Sequence, residues 1–130
     1  CHCGEIELTA EADPKHTFLC HCTDCQTMSG SAYRSLVRVR ADSFDLVAGT
    51  PTTYVKKADS GAQRAQAFCP ICGTSLYSIP VEDAPRFYTL RTAILDERDQ
   101  LAPRAQIWTR SAQAWSRNLE AVRGFAGQFE

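Results

Sequence analysis

Apolar and polar residues alternate in short runs along most of the chain. The runs begin at Glu5 ("EIELT"), Tyr33 ("YRSLVRV"), Thr52 ("TTYVKK"), Ser75 ("SLYSI") and Arg86 ("RFYTLRT"), and each reads as a strand with one face buried. Turn signals separate them: "ADP" at 12–14, "AGTP" at 48–51, "DSG" at 59–61 and "EDAP" at 82–85. Short strands punctuated in this way predict antiparallel sheets in a mainly β domain. Helical spacing occurs in two places. "TDCQTM" after Cys22 predicts one or two turns, ended by Gly30 in the left-handed conformation that glycine tolerates. "SAQAWSRNLEAV" begins at a candidate cap, Ser111, and sets Trp115, Leu119 and Val122 on one face, which predicts a second short helix packed on the core.

Composition narrows the class. A chain of 130 residues can bury one core and is short for two, so residues 1–130 read as one domain. Hydrophobic residues at 44% and charged residues at 22% are globular proportions, not those of a disordered chain. The formal net charge is −1 and the 14 Lys and Arg are scattered, so there is no basic stripe for a nucleic acid. No apolar run approaches the ~18 residues needed to cross a bilayer, which predicts a soluble protein with no membrane partner. The sequence starts at Cys1 without a methionine, so residues before it are expected to be missing, and a cleaved targeting segment stays open. Oligomeric state is not legible.

Seven cysteines change the picture. An odd number cannot pair completely, and the clusters Cys1-x-Cys3, Cys20-x-Cys22-x-x-Cys25 and Cys69-x-x-Cys72 place neighbours too close for unstrained disulfides. Such clusters read as thiolate metal sites in a reducing compartment, hence a cytoplasmic location. "CPICG" at 69–73 has the form of a zinc knuckle: two thiolates on a tight turn, with Pro70 presetting it and Gly73 letting amides face the sulfurs. A redox pair would open a helix, whereas "GTSLYSI" continues as a strand.

A knuckle needs two more ligands. In an extended "CHCG", Cys1 and Cys3 point to one side and His2 to the other, so Cys1, Cys3, Cys69 and Cys72 form the preferred four-thiolate set. Cys20, Cys22 and Cys25 are then left to converge locally through a turn at Thr23 and Asp24. Spacing alone also permits Cys1 and Cys3 to join Cys20 and Cys22, with Cys25 joining the knuckle. No histidine is well placed as a fourth ligand for the triplet: His2 and His21 alternate away from their flanking cysteines, and His16 lies four residues upstream. A three-sulfur site with one open position has the form of catalytic zinc, so the cofactor expected is zinc, two ions per chain.

The order C-x-C-G, C-x-C-x-x-C followed by "SG", "FCPICGT" and a late Trp resembles the glutathione-dependent formaldehyde-activating enzyme family, whose domain is shared with centromere protein V; the likeness spans Cys1 to Glu130. The resemblance implies antiparallel sheets in a zinc-stabilised β-tent. It implies Cys1, Cys3, Cys69 and Cys72 as the structural zinc site and Cys20, Cys22 and Cys25 as the catalytic one. It also implies a carbon–sulfur lyase that forms or cleaves S-hydroxymethylglutathione, with glutathione or a related thiol adduct as the small-molecule partner.

An open site of three thiolates on a divalent ion carries a formal charge of −1, is a weak Lewis acid and suits a soft thiol. Zinc could hold either the glutathione sulfur or the carbonyl oxygen, and both routes stay open at this level. Asp24, Ser29 and His21 lie near the triplet, but read as a turn residue, a helix end and an outward polar group, so no general acid is assigned. Glutathione carries two carboxylates; Arg34, Arg38 and Arg40 on one strand face, or Lys56, Lys57 and Arg64, are candidate cations, although a solvated strand face explains the pattern equally well. Two other classes compete: a non-catalytic interaction module with two structural zincs, and a redox or metal sensor.

Overall fold

In the third strand, β3 (Arg34–Arg40), odd and even positions face different environments: Val37 and Val39 are buried in an apolar core, whereas Arg34, Leu36 and Arg38 line a cavity on the opposite face. This period-two division extends across the protein. The computed structural model describes residues 1–58, 60–81 and 84–129. The elements are β1 (Glu7–Ala10), β2 (Thr17–Cys20), α1 (Thr23–Ser29), β3, β4 (Phe44–Ala48), β5 (Thr52–Lys57), β6 (Gln63–Phe68), β7 (Ser75–Pro80), β8 (Phe87–Arg91) and β9 (Ala105–Ile107). The fold is mainly β, with a seven-stranded sheet in the order β5-β6-β7-β8-β3-β2-β9 and a two-stranded sheet β1-β4. Among the described residues every strand pair is antiparallel except β2 with β9.

The small sheet covers the apolar face of the large one. Leu8 from β1, with Phe44 and Leu46 from β4, packs on Ile6, Val37, Val39, Leu76, Tyr77 and Leu90. Phe44 stacks on Tyr88 with ring centroids 3.9 Å apart, and its edge meets Tyr77. This burial supplies the main drive for the two sheets to associate. Gly49, in the turn from β4 to β5, has φ +78°; a Cβ there would lie 2.3 Å from the Glu5 carbonyl oxygen and 2.6 Å from Ile6 Cδ1. Only glycine lets that turn close over Ile6.

All five expected strands are present, β5 with the bounds expected and the other four shifted; β5 is exposed except at Lys56, so it lacks the buried face expected of it, and β2, β4, β6 and β9 lacked a clear alternating signal. The turns expected at 59–61 and 82–85 fall partly on Asp59, Glu82 and Asp83, outside the described residues. Helix α1 forms as expected and ends at Gly30, φ 64°, whose N–H donates to the Gln26 carbonyl at 2.9 Å.

The second helix does not form. Its place is taken by 3-10 turns at Thr109–Ser111 and Ala114–Arg117, and Trp115, Leu119 and Val122 are 58%, 52% and 59% exposed, so they are surface rather than core. Side chains compete for the backbone groups a helix would use. The Ser111 carbonyl accepts from Gln26 Nε2 at 2.9 Å and the Gln113 carbonyl accepts from Ser116 Oγ at 2.7 Å.

Candidate metal centres

The sulfurs of Cys1, Cys3, Cys69 and Cys72 all lie within 4.8 Å of one another, with 3.6 Å between Cys1 and Cys3 and 3.7 Å between Cys3 and Cys69. The β6–β7 turn builds half of this group: the Cys69 N–H donates to the Thr74 carbonyl and the Gly73 N–H to the Cys69 carbonyl, both at 2.9 Å, with Gly73 at φ 73°. The other half comes from the segment leading into β1, where the Ile6 N–H donates to Cys1 Sγ at 3.2 Å. The Thr74 hydroxyl, 3.1 Å from Cys72 Sγ, is the main cause that brings the Cys72 thiol down to about 5. The chain following Cys72 is strand β7, not the helix of a redox pair.

Cys20, Cys22 and Cys25 form the second group, again with all sulfurs within 4.8 Å. Cys20 closes β2; Cys22 caps α1, its Sγ accepting the Cys25 N–H at 3.3 Å and lying 3.5 Å from Cys20 Sγ. A hydrogen bond from Cys25 holds the Cys20 thiol below its ordinary range, while the same contact and burial push Cys25 far up; burial also raises Cys22. Three sulfurs this close do not all ionise unaided. A soft divalent cation supplies the charge that lets them, and an all-sulfur donor set fits zinc in both groups.

No histidine joins either group. His21 points away from the flanking sulfurs, but it is 2% exposed, not an outward polar group as the sequence suggested. Its Nε2 lies 2.9 Å from Gln106 Oε1 and its ring meets that of Tyr33 edge-on, so β9 and the residue just before β3 enclose it. His2 and His16 are exposed. Ser29 donates to the Cys25 carbonyl at 2.6 Å and serves the helix end. Asp24 pairs with Lys56.

The triplet opens onto a cavity of about 300 Å³. One wall is the polar face of the large sheet: Arg34 and Arg38 from β3, Arg64 and Gln66 from β6, Arg91 from β8 and Lys56 from β5. Helix α1 contributes Cys22, Cys25 and Met28, and Trp108 closes one side. Trp108 has φ 57°, the one described non-glycine residue in that region, and Arg110 lies over its ring at 4.6 Å. Of the cations expected from sequence, Arg34, Arg38, Lys56 and Arg64 reach this cavity. Arg40 pairs with Asp42 at the surface, and Lys57 is exposed and lies outside the cavity lining. Arg91, Gln66 and Trp108 were not singled out; for Arg91 the usable signal was the polar alternation Thr89, Arg91 on β8. A larger cavity, about 640 Å³, adjoins Glu11, Asp13, His16 and Arg40, but no cysteine lines it.

The sequence model of the family described as "Glutathione-dependent formaldehyde-activating enzyme" matches residues 1–111. A Phaeosphaeria nodorum protein described as "Putative glutathione-dependent formaldehyde-activating enzyme" is 28% identical over 87 residues, which cover 65% of this chain and 45% of that protein. The match thus spans less than half the length of that relative. A crystal structure of a Rhodobacter sphaeroides protein superposes with a TM-score of 0.60 at 21% identity, over 82% of this chain and 95% of the other, and shares the fold.

Proposed function

Because the chain belongs to the glutathione-dependent formaldehyde-activating enzyme family, we propose that it is a zinc-dependent carbon–sulfur lyase of the S-hydroxymethylglutathione synthase type, with residues 1–130 as one zinc-binding domain. Cys1, Cys3, Cys69 and Cys72 would hold a closed structural zinc, and Cys20, Cys22 and Cys25 a second ion with one position left for a ligand. When bound, that second ion supplies a positive centre that favours the thiolate form of a soft thiol ligand. The observation that carries the reading is the placement of a three-sulfur group at the wall of a cation-lined cavity. A purely structural second site has no need of such an opening, and this sets the reading above an interaction module.

The protein's own groups bind and orient. Arg38 and Arg64 offer guanidinium donors for the carboxylates of a tripeptide thiol, in a cavity of the size expected for a small ligand. Trp108 and Met28 add apolar surface to the wall beside the sulfurs. Addition of the thiol to formaldehyde forms the S–C bond, moves the carbonyl π pair to oxygen and leaves the thiol proton there. Cleavage is the reverse.

This addition also runs without a catalyst, so the test is an exchange measurement. NMR exchange between free formaldehyde and S-hydroxymethylglutathione is expected to accelerate above the spontaneous rate with zinc-loaded protein and to fall to that rate with Cys22→Ser. Exchange at the spontaneous rate with the intact zinc-loaded protein, for glutathione and for smaller thiols, would overturn the proposal.

A further inference from the structure

Arg34 and Arg91 are each only 6% exposed, yet among the described residues neither meets a carboxylate. Their guanidiniums converge on one acceptor, Gln66 Oε1, at 3.3 Å from Arg34 Nη1 and 2.7 Å from Arg91 Nη2. Arg91 is fixed further by Ser75 Oγ at 3.1 Å and the Thr89 carbonyl at 3.3 Å. Two like charges buried side by side are costly unless an anion joins them.

The pair stands beside the three-sulfur group. Arg34 on β3 is the direct cross-strand partner of Cys20 on β2, and both side chains line the same cavity as Arg91. Directly opposed residues have Cβ atoms about 5 Å apart. A divalent ion on three thiolates has a formal charge of −1, enough to offset one guanidinium and not two. Lys56 is already matched by Asp24. Arg38 lies four residues along β3 from Arg34, about 13 Å at the usual strand rise, and with Arg64 it forms a second cationic pair farther from the sulfurs.

These two pairs have different tasks. The carboxylates of glutathione sit at the ends of the peptide, several bonds from its sulfur, and suit the distant Arg38 and Arg64. Formaldehyde carries no charge and offers nothing to the near pair. Resting on the thiol-adduct reading above, we propose that the Arg34–Arg91 pair binds a carboxylate on the carbon next to the reacting carbonyl, so that the carbonyl substrate is a 2-oxo acid of the glyoxylate type and the product its thiol hemithioacetal. In that addition the thiol sulfur bonds to the carbonyl carbon, the π pair goes to oxygen and takes the thiol proton, and the carboxylate stays intact between the guanidiniums. No oxidant or reductant is consumed.

Calorimetric titration of the zinc-loaded protein with two stable thioethers tests this. S-carboxymethylglutathione carries the extra carboxylate and S-methylglutathione lacks it. The carboxymethyl compound is expected to bind at least about tenfold more tightly, as charge-assisted hydrogen bonds to a buried pair require. Arg91→Gln, or Arg34→Gln should Arg91→Gln fail to fold, is expected to erase the difference while leaving S-methylglutathione affinity in place, and Arg91→Lys to restore part of it. Equal affinity of the intact protein for both compounds, or an equal loss for both in the variants, would overturn the proposal. Glycolate alone separates this from the glutathione reading. If neither thioether binds but glycolate binds the intact protein and not Arg91→Gln, the glutathione reading falls and the carboxylate subsite stands; if glycolate also fails to bind, the subsite falls with it.

Discussion

Gln26 on α1 donates through Nε2 to the carbonyl oxygen of Ser111, 85 residues later in the chain, at 2.9 Å. The same nitrogen donates to the His21 carbonyl at 2.7 Å, and Gln26 Oε1 accepts from Gln113 Nε2 at 2.8 Å. One side chain thus ties the helix that carries Cys22 and Cys25 to the segment following β9. Gln26→Ala is expected to lower stability by about 1–2 kcal/mol. Amide exchange should rise at residues 109–117 and across α1, with strands β6 to β8 unchanged. Protection unchanged in both segments would show that the link carries no stability.

Loss of a sulfur should have different consequences in the two groups. Cys72→Ser removes a sulfur from the group that joins the β6–β7 turn to residues 1–3 and, on the function proposed above, is expected to give insoluble or unfolded protein. Cys22→Ser is expected to leave a folded protein that retains one zinc of two. Metal analysis and circular dichroism of the two variants check this, and the reverse pattern would exchange the roles assigned to the two sites.

Acid should empty the groups in order. Cys25 is held far above the ordinary thiol range, chiefly by its contact with Cys20, so a metal at the triplet must displace a tightly held proton. Cys72, brought down to about 5 chiefly by the Thr74 hydroxyl, is already a thiolate at neutral pH. As pH falls from neutrality, protons therefore compete first at Cys22 and Cys25; in the four-sulfur group Cys3 is also raised, while Cys72 stays ionised until near 5. Zinc release followed with a chromophoric chelator is expected in two steps, the higher-pH step absent in Cys22→Ser.

The fold class was legible because alternation is strong where one strand face meets the core, as in "SLVRV" and "FYTLR". β6, "QRAQAF", was not legible: Ala and Gln carry little strand preference, and the segment is extended because β5 and β7 pair with it on both sides while Arg64 and Gln66 face the cavity. The cysteines group in space by the same spacing that groups them in sequence, since extended and knuckle geometries are local. Which clusters meet is decided by the long-range closure of residues 1–3 onto the β6–β7 turn. The expected helix from Ser111 failed because periodicity does not report side chains that take the backbone's hydrogen bonds.

Gly49→Ala is expected to cost about 3 kcal/mol, since it combines a positive φ with a Cβ placed against the Glu5 carbonyl and Ile6. Denaturant unfolding of the zinc-loaded protein measures it. Because Cys1 Sγ accepts the Ile6 N–H, a zinc ion loaded at the proposed four-sulfur group is expected to be released more readily in this variant.

The surface position of the late apolar residues separates them from the core. Leu119→Ser is expected to change stability by less than about 0.5 kcal/mol, whereas Leu90→Ala, at a site with 0% exposure, should cost about 2–5 kcal/mol. Comparable losses in a thermal melt would place Leu119 in a contact that a helix, rather than the observed turns, would make.

The charged side of the large sheet bears directly on how the protein is handled. Phosphate, like carboxylate, matches the guanidinium fork, and the Arg34–Arg91 and Arg38–Arg64 pairs both face the same cavity. Phosphate buffer is therefore expected to compete with any carboxylate ligand for that wall, so binding and rate measurements belong in dilute zwitterionic media with salt varied as an explicit coordinate.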